Sequence, residues 1–159
     1  MGEIERISQE LEQAFARNAW YGPSLLETLA GVDAETAAAH PIAGAHSIWE
    51  IVNHIIYTQQ LLVRRIKGET IPWSPDDDWP AAPKPSKQAW KQTLDMLMMG
   101  EAKLQMAVAG FPEARLDEPI DPHGTSAYRN VHGHAEHNAY HAGQIVLLRR
   151  AAGCQMPEE

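Results

Sequence analysis

Apolar residues recur at three- and four-residue spacing along four stretches of the chain, the period of an α-helix that buries one face. The first stretch runs from about Glu3 to Trp20, with Ile4, Ile7, Leu11 and Phe15 on one stripe. Gly22-Pro23 interrupts it, because a proline ring cannot continue a helix, and Ser24 can cap a short continuation through Leu25, Leu26 and Leu29. After a loop holding His40-Pro41, Ser47 and Glu50 have the spacing of a capping box, with the serine at the N-cap. The helix it opens carries Ile51, Ile55, Thr58, Leu61, Leu62 and Ile66, and stops at Lys67-Gly68. A third helix is predicted from about Ser86 to Ala109, turning Trp90, Leu94, Leu97, Leu104 and Val108 inward and ending at Gly110-Phe111-Pro112. A fourth runs from about Ser126 to Ala152, closed by Gly153, with Arg149 and Arg150 in the last turn where cations favour the helix dipole. No stretch alternates with a two-residue period between turn signals, so no sheet is expected. The pattern predicts an all-α chain, a four-helix bundle with long crossover loops, because four amphipathic helices bury their stripes best against one another.

Two connections stand out. From Glu69 to Pro85 the chain holds Pro72, Pro75, Pro80, Pro83 and Pro85, with Trp73, Trp79 and the run Asp76-Asp77-Asp78. This segment is expected to hold no regular structure and reads as a long ordered crossover or lid. The second irregular loop runs from Glu113 to Gly124. A length of 159 residues predicts one domain over 1–159, and 44% hydrophobic with 21% charged residues predicts a globular one. The balance of 13 Lys+Arg against 21 Asp+Glu gives −8, which weighs against binding nucleic acid or an anionic membrane surface. No apolar run approaches the roughly 20 residues of a membrane helix, and the charged, periodic N-terminus is unlike a signal peptide, so a cytoplasmic protein is expected. Cys154 stands alone, which excludes an internal disulfide framework and cysteine-based zinc sites.

Of eight histidines, five lie between His123 and His141. His137 and His141 are one turn apart on the fourth predicted helix, a spacing at which two imidazoles can grip one ion. At about 100° per residue His134 lies within about 60° of that pair, while His132 projects to the opposite side. Ile145 and Leu148 extend the stripe, so the histidines point into the bundle, where an imidazole without a partner is costly. On the second helix His54 shares the inward stripe of Ile51, Thr58 and Leu61. A bundle brings such inward positions together and builds metal sites from them. Neutral imidazoles suit Zn, Ni, Fe or Mn as divalent ions, with open positions left for a reacting group. The set His134, His137 and His141 is the rival constellation.

Trp49-Glu-Ile-Val-Asn-His54 and His137-Asn-Ala-Tyr-His141-Ala-Gly-Gln144 resemble the two signatures of the DinB-like superfamily, which includes the YfiT-type metal-dependent hydrolases. The similarity is greatest over Ser47–Gly68 and His137–Arg150 and fits nearly the whole chain in order and length. It implies a four-helix bundle, often a homodimer, in which His54, His137 and His141 hold a divalent metal ion. The family includes thiol-dependent S-transferases and a mycothiol-dependent maleylpyruvate isomerase. The implied activity is therefore a metal-dependent transferase or hydrolase acting on a small electrophilic substrate, with a low-molecular-weight thiol as a second cofactor. The rival from another class is a non-catalytic, metal-stabilised binding or interaction module.

Around such an ion, three residues carry candidate chemistry. Glu50, one turn before His54, reads as the capping-box partner of Ser47 or as a general base; Gln144 as a ligand contact or an interface residue; His134 as an outer partner of the site or a core histidine. His40, His46 and His123 fall in predicted loops and read as surface residues. Asp76-Asp77-Asp78 lacks the spaced ligands of a calcium loop and reads as a solvated acidic turn. Trp73 and Trp79 read as a lid over the metal or as anchors for the crossover. Arg64 and Arg65 read as contacts for a carboxylate substrate or a low-molecular-weight thiol or, with Lys67, more simply as last-turn cations, and Met96, Met98, Met99 and Met106 as core or dimer-face packing. Cys154 has no histidine partner and is not read as a nucleophile.

Overall fold

The computed structural model describes residues 1–155. Among these, the chain forms seven α-helices and no strand: α1 (Glu3–Phe15), α2 (Leu25–Leu29), α3 (Ala34–Ala38), α4 (Ile48–Ile66), α5 (Pro75–Asp78), α6 (Lys87–Ala109) and α7 (Ala127–Ala151), with a 3-10 turn at Glu113–Arg115. The four predicted stripes become the long helices α1, α4, α6 and α7. Serine opens three of them: Ser47, Ser86 and Ser126 each accept the backbone N–H of the third residue on, satisfying one of the orphan donors of a helix start.

Three boundaries correct the sequence expectation. The first helix ends at Phe15 rather than near Trp20, and Asn18 then takes φ 60°, the left-handed conformation that asparagine tolerates and that ends a helix. Asp33 caps an unforeseen helical turn, α3, in the loop before Ser47. The crossover is not free of regular structure, because Pro75 starts the one-turn helix α5, where its fixed φ and missing N–H cost nothing, and the three aspartates occupy the dipole's positive end. Arg149 also does more than favour its own helix end: its buried guanidinium donates to the carbonyls of Thr28, Ala30 and Gln155, tying the end of α2 to α7.

The cross-helix contacts fix the topology. The Trp49 indole donates to Thr93 and Gln59 to Glu101, so both partners advance together and α4 and α6 run parallel. Gln105 donates to the Ser8 carbonyl, while Phe15 shares a cluster with Trp90 and Leu97, which makes α1 antiparallel to α6. His54 meets His137 and His141, while Leu62 and Val63 share a cluster with Val131, so α4 and α7 are antiparallel. Two apolar clusters result. One gathers Phe15, Trp49, Ile55, Leu97 and Ile145; the other gathers Ile7, Leu11, Leu62, Leu104 and Val131. Each fully buried aliphatic chain contributes about 1.5–3 kcal/mol over its exposed state. Between the clusters lies a belt of buried polar side chains: Gln59, Glu101, His134 and Asn138.

The methionines of α6 are not core. Met96, Met98, Met99 and Met106 are 46–76% exposed along α6. No helix among the described residues is long and apolar enough to cross a membrane.

Candidate metal centre

Antiparallel packing of α4 on α7 carries His54 across to the His137-His141 pair. His54 Nε2 lies 2.8 Å from His137 Nε2, and His141 Nε2 lies 3.0 Å from the same atom. One ring nitrogen of each residue lies within 4.8 Å of the others, a group that could hold a metal ion. His54 and His141 are buried and His137 is partly open. His134 is buried too, but its ring centroid is 6.0 Å from that of His137 and it does not join the group; its Nε2 has no hydrogen-bond partner. His132 faces away, as predicted, and pairs with Glu10 of α1.

Hydrogen bonds behind the rings decide what the converging nitrogens can be. His54 Nδ1 is 2.9 Å from the carbonyl oxygen of Asp78 and 3.0 Å from its carboxylate Oδ1. His141 Nδ1 is 2.7 Å from Gln144 Oε1. A neutral imidazole that donates through Nδ1 keeps a lone pair on Nε2, so His54 and His141 both present acceptors to the centre. His137 can offer at most one proton there, to one of the two, and its own Nδ1 is buried without a partner. A Lewis-acidic cation satisfies all three lone pairs at once, which protons within the cluster cannot do. Protonation is also disfavoured. Burial, reinforced by the neighbouring imidazoles, pushes His137 down to about 3. Burial pushes His141 down to about 4 against the opposing pull of Gln144, and His134 to about 4. His137 and His141 are therefore neutral at pH 7, the form that binds metals.

The crossover completes the site, and here the acidic run departs from the solvated turn expected of it. α5 brings Asp78 into the interior at 5% exposure against His54, while Asp76 and Asp77 stay in solvent. Trp79 follows, its indole lying 4.0 Å above the His54 ring and 4° from parallel. The His46 imidazole stacks on its other face at 3.7 Å, so that His46, an exposed loop residue as expected, also covers the indole. Asn53 Nδ2 donates to the carbonyls of Pro80 and Ala81, pinning the strand of chain just beyond. Trp79 thus acts as both cover and anchor, whereas Trp73 is half exposed.

Glu50 takes the structural role. Its Oε2 accepts the Ser47 N–H at 2.8 Å and faces His40 and His46, and backbone and imidazole hydrogen bonds hold its carboxyl below the usual range despite its partial burial. Gln144 orients His141 instead of standing apart from it. Asp78 is the residue that sequence reasoning missed. Nothing in a three-aspartate run marks the last one as buried, and only the placement of its helical turn against α4 reveals it.

Comparison with known proteins agrees with this architecture. The family model of the DinB superfamily matches residues 22–145. A crystal structure described as the conserved protein of locus from Enterococcus faecalis is similar with a TM-score of 0.67 at 19% identity, covering 95% of this chain and 97% of that one. At that identity the likeness speaks for the fold. No curated protein matches the chain.

Proposed function

Because the chain belongs to the DinB superfamily and draws three imidazoles to one point, we propose that it is a metal-dependent enzyme whose divalent ion is held by His54, His137 and His141. The observation that carries this reading is the convergence of three Nε2 atoms with too few protons to satisfy one another. A divalent ion there supplies Lewis acidity, which acidifies a thiol or a water and polarises an electrophile. The chain's own groups do the rest: Asp78 and Gln144 orient two of the rings, Trp79 keeps water from the face of His54, and the partly open side at His137 admits a reactant. The reaction class is transfer of a thiol to, or hydrolysis of, a small electrophilic substrate. The ion is one of Zn, Ni, Fe or Mn, all of which accept imidazole. A homodimer through the exposed Met96, Met99 and Met106 stripe of α6, in the cytoplasm, completes the proposal.

The test is elemental analysis of tag-free protein purified without chelators, beside His54→Ala and His141→Ala. Near-stoichiometric metal in the parent, lost by both variants, is expected; a parent that takes up no ion after reconstitution would sink the reading. The deep burial of the cluster and the unpartnered His134 Nε2 favour one alternative, an ion that only fixes the bundle. That alternative predicts melting that collapses on chelation, with no turnover in a thiol-transferase and hydrolase screen.

A further inference from the structure

The crossover approaches His54 with two acceptors at once, the main-chain oxygen and the side-chain Oδ1 of Asp78, 2.9 and 3.0 Å from the same ring nitrogen. Two acceptors can share a nitrogen only if it carries the proton. The main-chain oxygen takes the hydrogen bond, and Oδ1, in a residue 5% exposed and with no hydrogen-bond partner of its own, lies beside the same nitrogen as buried negative charge whose nearest counterpart is the His54 ring. Trp79 then limits the other freedom of the ring. With the indole 4.0 Å away and 4° from parallel, and backed by His46, rotation of the imidazole out of its plane meets an aromatic face.

From this geometry we infer that Asp78 is a positioning residue: it locks His54 in the Nδ1–H tautomer and turns its Nε2 lone pair toward His137 and His141, while Trp79 clamps the ring. The carboxylate also places negative charge on the ring's far side, as acceptors behind metal-bound histidines generally do. Its effect on metal affinity rests on the three-histidine reading proposed above; its effect on the tautomer does not. The crossover is then a functional part of the centre, since the residue that sets the His54 ligand atom lies on a different element from every candidate ligand.

Two measurements test this. Nitrogen-15 NMR of the histidine rings in the metal-free protein reports the His54 tautomer directly. A protonated Nδ1 with a lone pair on Nε2 is expected, and a protonated Nε2 would overturn the inference without any variant being made. Competition titration with Zn²⁺ or Ni²⁺ then compares Asp78→Asn with Asp76→Asn, a control on an exposed neighbour. Asp78→Asn, which keeps the main-chain acceptor, is expected to keep the Nδ1–H tautomer but to bind metal about 10- to 100-fold more weakly, with the metal-free melting temperature little changed. Asp76→Asn should match the parent. Affinity of Asp78→Asn within about twofold of the parent, while His54→Ala loses the ion, would reject Asp78 as a positioning group. A parent that binds no ion would reject the metal reading alone, and the tautomer would still decide this one.

Discussion

Two kinds of buried titratable side chain pull the stability of this protein in opposite directions with pH. His134, His137 and His141 titrate near 4, 3 and 4 in the fold, below the 6.5 ordinary for the unfolded chain. From pH 6.5 down to about 4 the unfolded chain therefore binds more protons than the folded one, and acid costs stability across that window. The denaturation midpoint of the metal-free protein should fall between about pH 7 and about pH 5; a flat profile would mean that the rings are not held neutral by burial. Glu101 acts the other way. Burial raises it to about 7 from 4.5 against the hydrogen bonds of Gln105 and Gln59. The stability it contributes is whole below pH 4.5 and lost as pH rises through 7. Glu101→Gln should remove that alkaline decline and leave the acid one, as denaturation midpoints from about pH 6 to about pH 8 will show. The sequence makes the histidines legible as a site, because a four-residue spacing on an apolar stripe places two rings together in any bundle. It leaves Asp78 and Glu101 obscure: one depends on the path of a loop, the other on which helix faces it.

At the scale of elements, the closeness of α4 and α6 is set by Gly100. A methyl group built at that position overlaps the buried amide oxygen of Gln59, which has no hydrogen-bond partner and nowhere polar to retreat. Gly133, in the middle of α7, has nothing near the same point. The two substitutions to alanine therefore have opposite signs. Gly133→Ala should stabilise by about 0.5–1 kcal/mol through helix propensity, whereas Gly100→Ala should destabilise by about 1–3 kcal/mol through overpacking, read as thermal midpoints. If both stabilised, the α4–α6 contact would be looser than its geometry states. Helix starts were legible for a local reason: Ser47, Ser86 and Ser126 sit just ahead of apolar stripes, and a capping serine needs no knowledge of the tertiary fold. The short α2 behind Ser24 was legible in the same way, but α3 and α5 were not. α5 has too few residues to show a period, and its proline and aspartates signal a loop as readily as a first helical turn. For the α6 methionines, read as core or dimer-face packing, their exposure removes the core alternative, which periodicity alone could not do because it shows which residues share a face and not whether anything covers it.

The order of the long helices explains why the whole molecule needs a crossover, and what that crossover can report. Because α4 and α6 are parallel neighbours, the chain must return along the full 19 residues of α4, about 28 Å, before α6 can begin. A tight turn cannot do this; the 20 residues from 67 to 86 can, and their return path passes the mouth of the histidine cluster. The segment is held there by side-chain tethers at a few points: Asp78 and Trp79 on His54, His46 on Trp79, Asn53 on the carbonyls of Pro80 and Ala81, the Tyr57 hydroxyl on the Ser74 backbone, Arg65 on the Ile71 carbonyl and Arg64 on Glu69. Segments with so few tethers open locally at a fraction of the global unfolding free energy, so limited proteolysis should cut between 67 and 86 before it cuts the long helices. Opening that detaches Asp78 and Trp79 also frees His54. If the ion must leave for this to happen, metal at about 100 times its Kd should slow the crossover cut by up to about 100-fold. His54→Ala should be cut at one rate with or without metal. Equal rates in the parent with and without bound ion would separate the crossover from the metal centre, and leave Trp79 as an anchor with no share in the site.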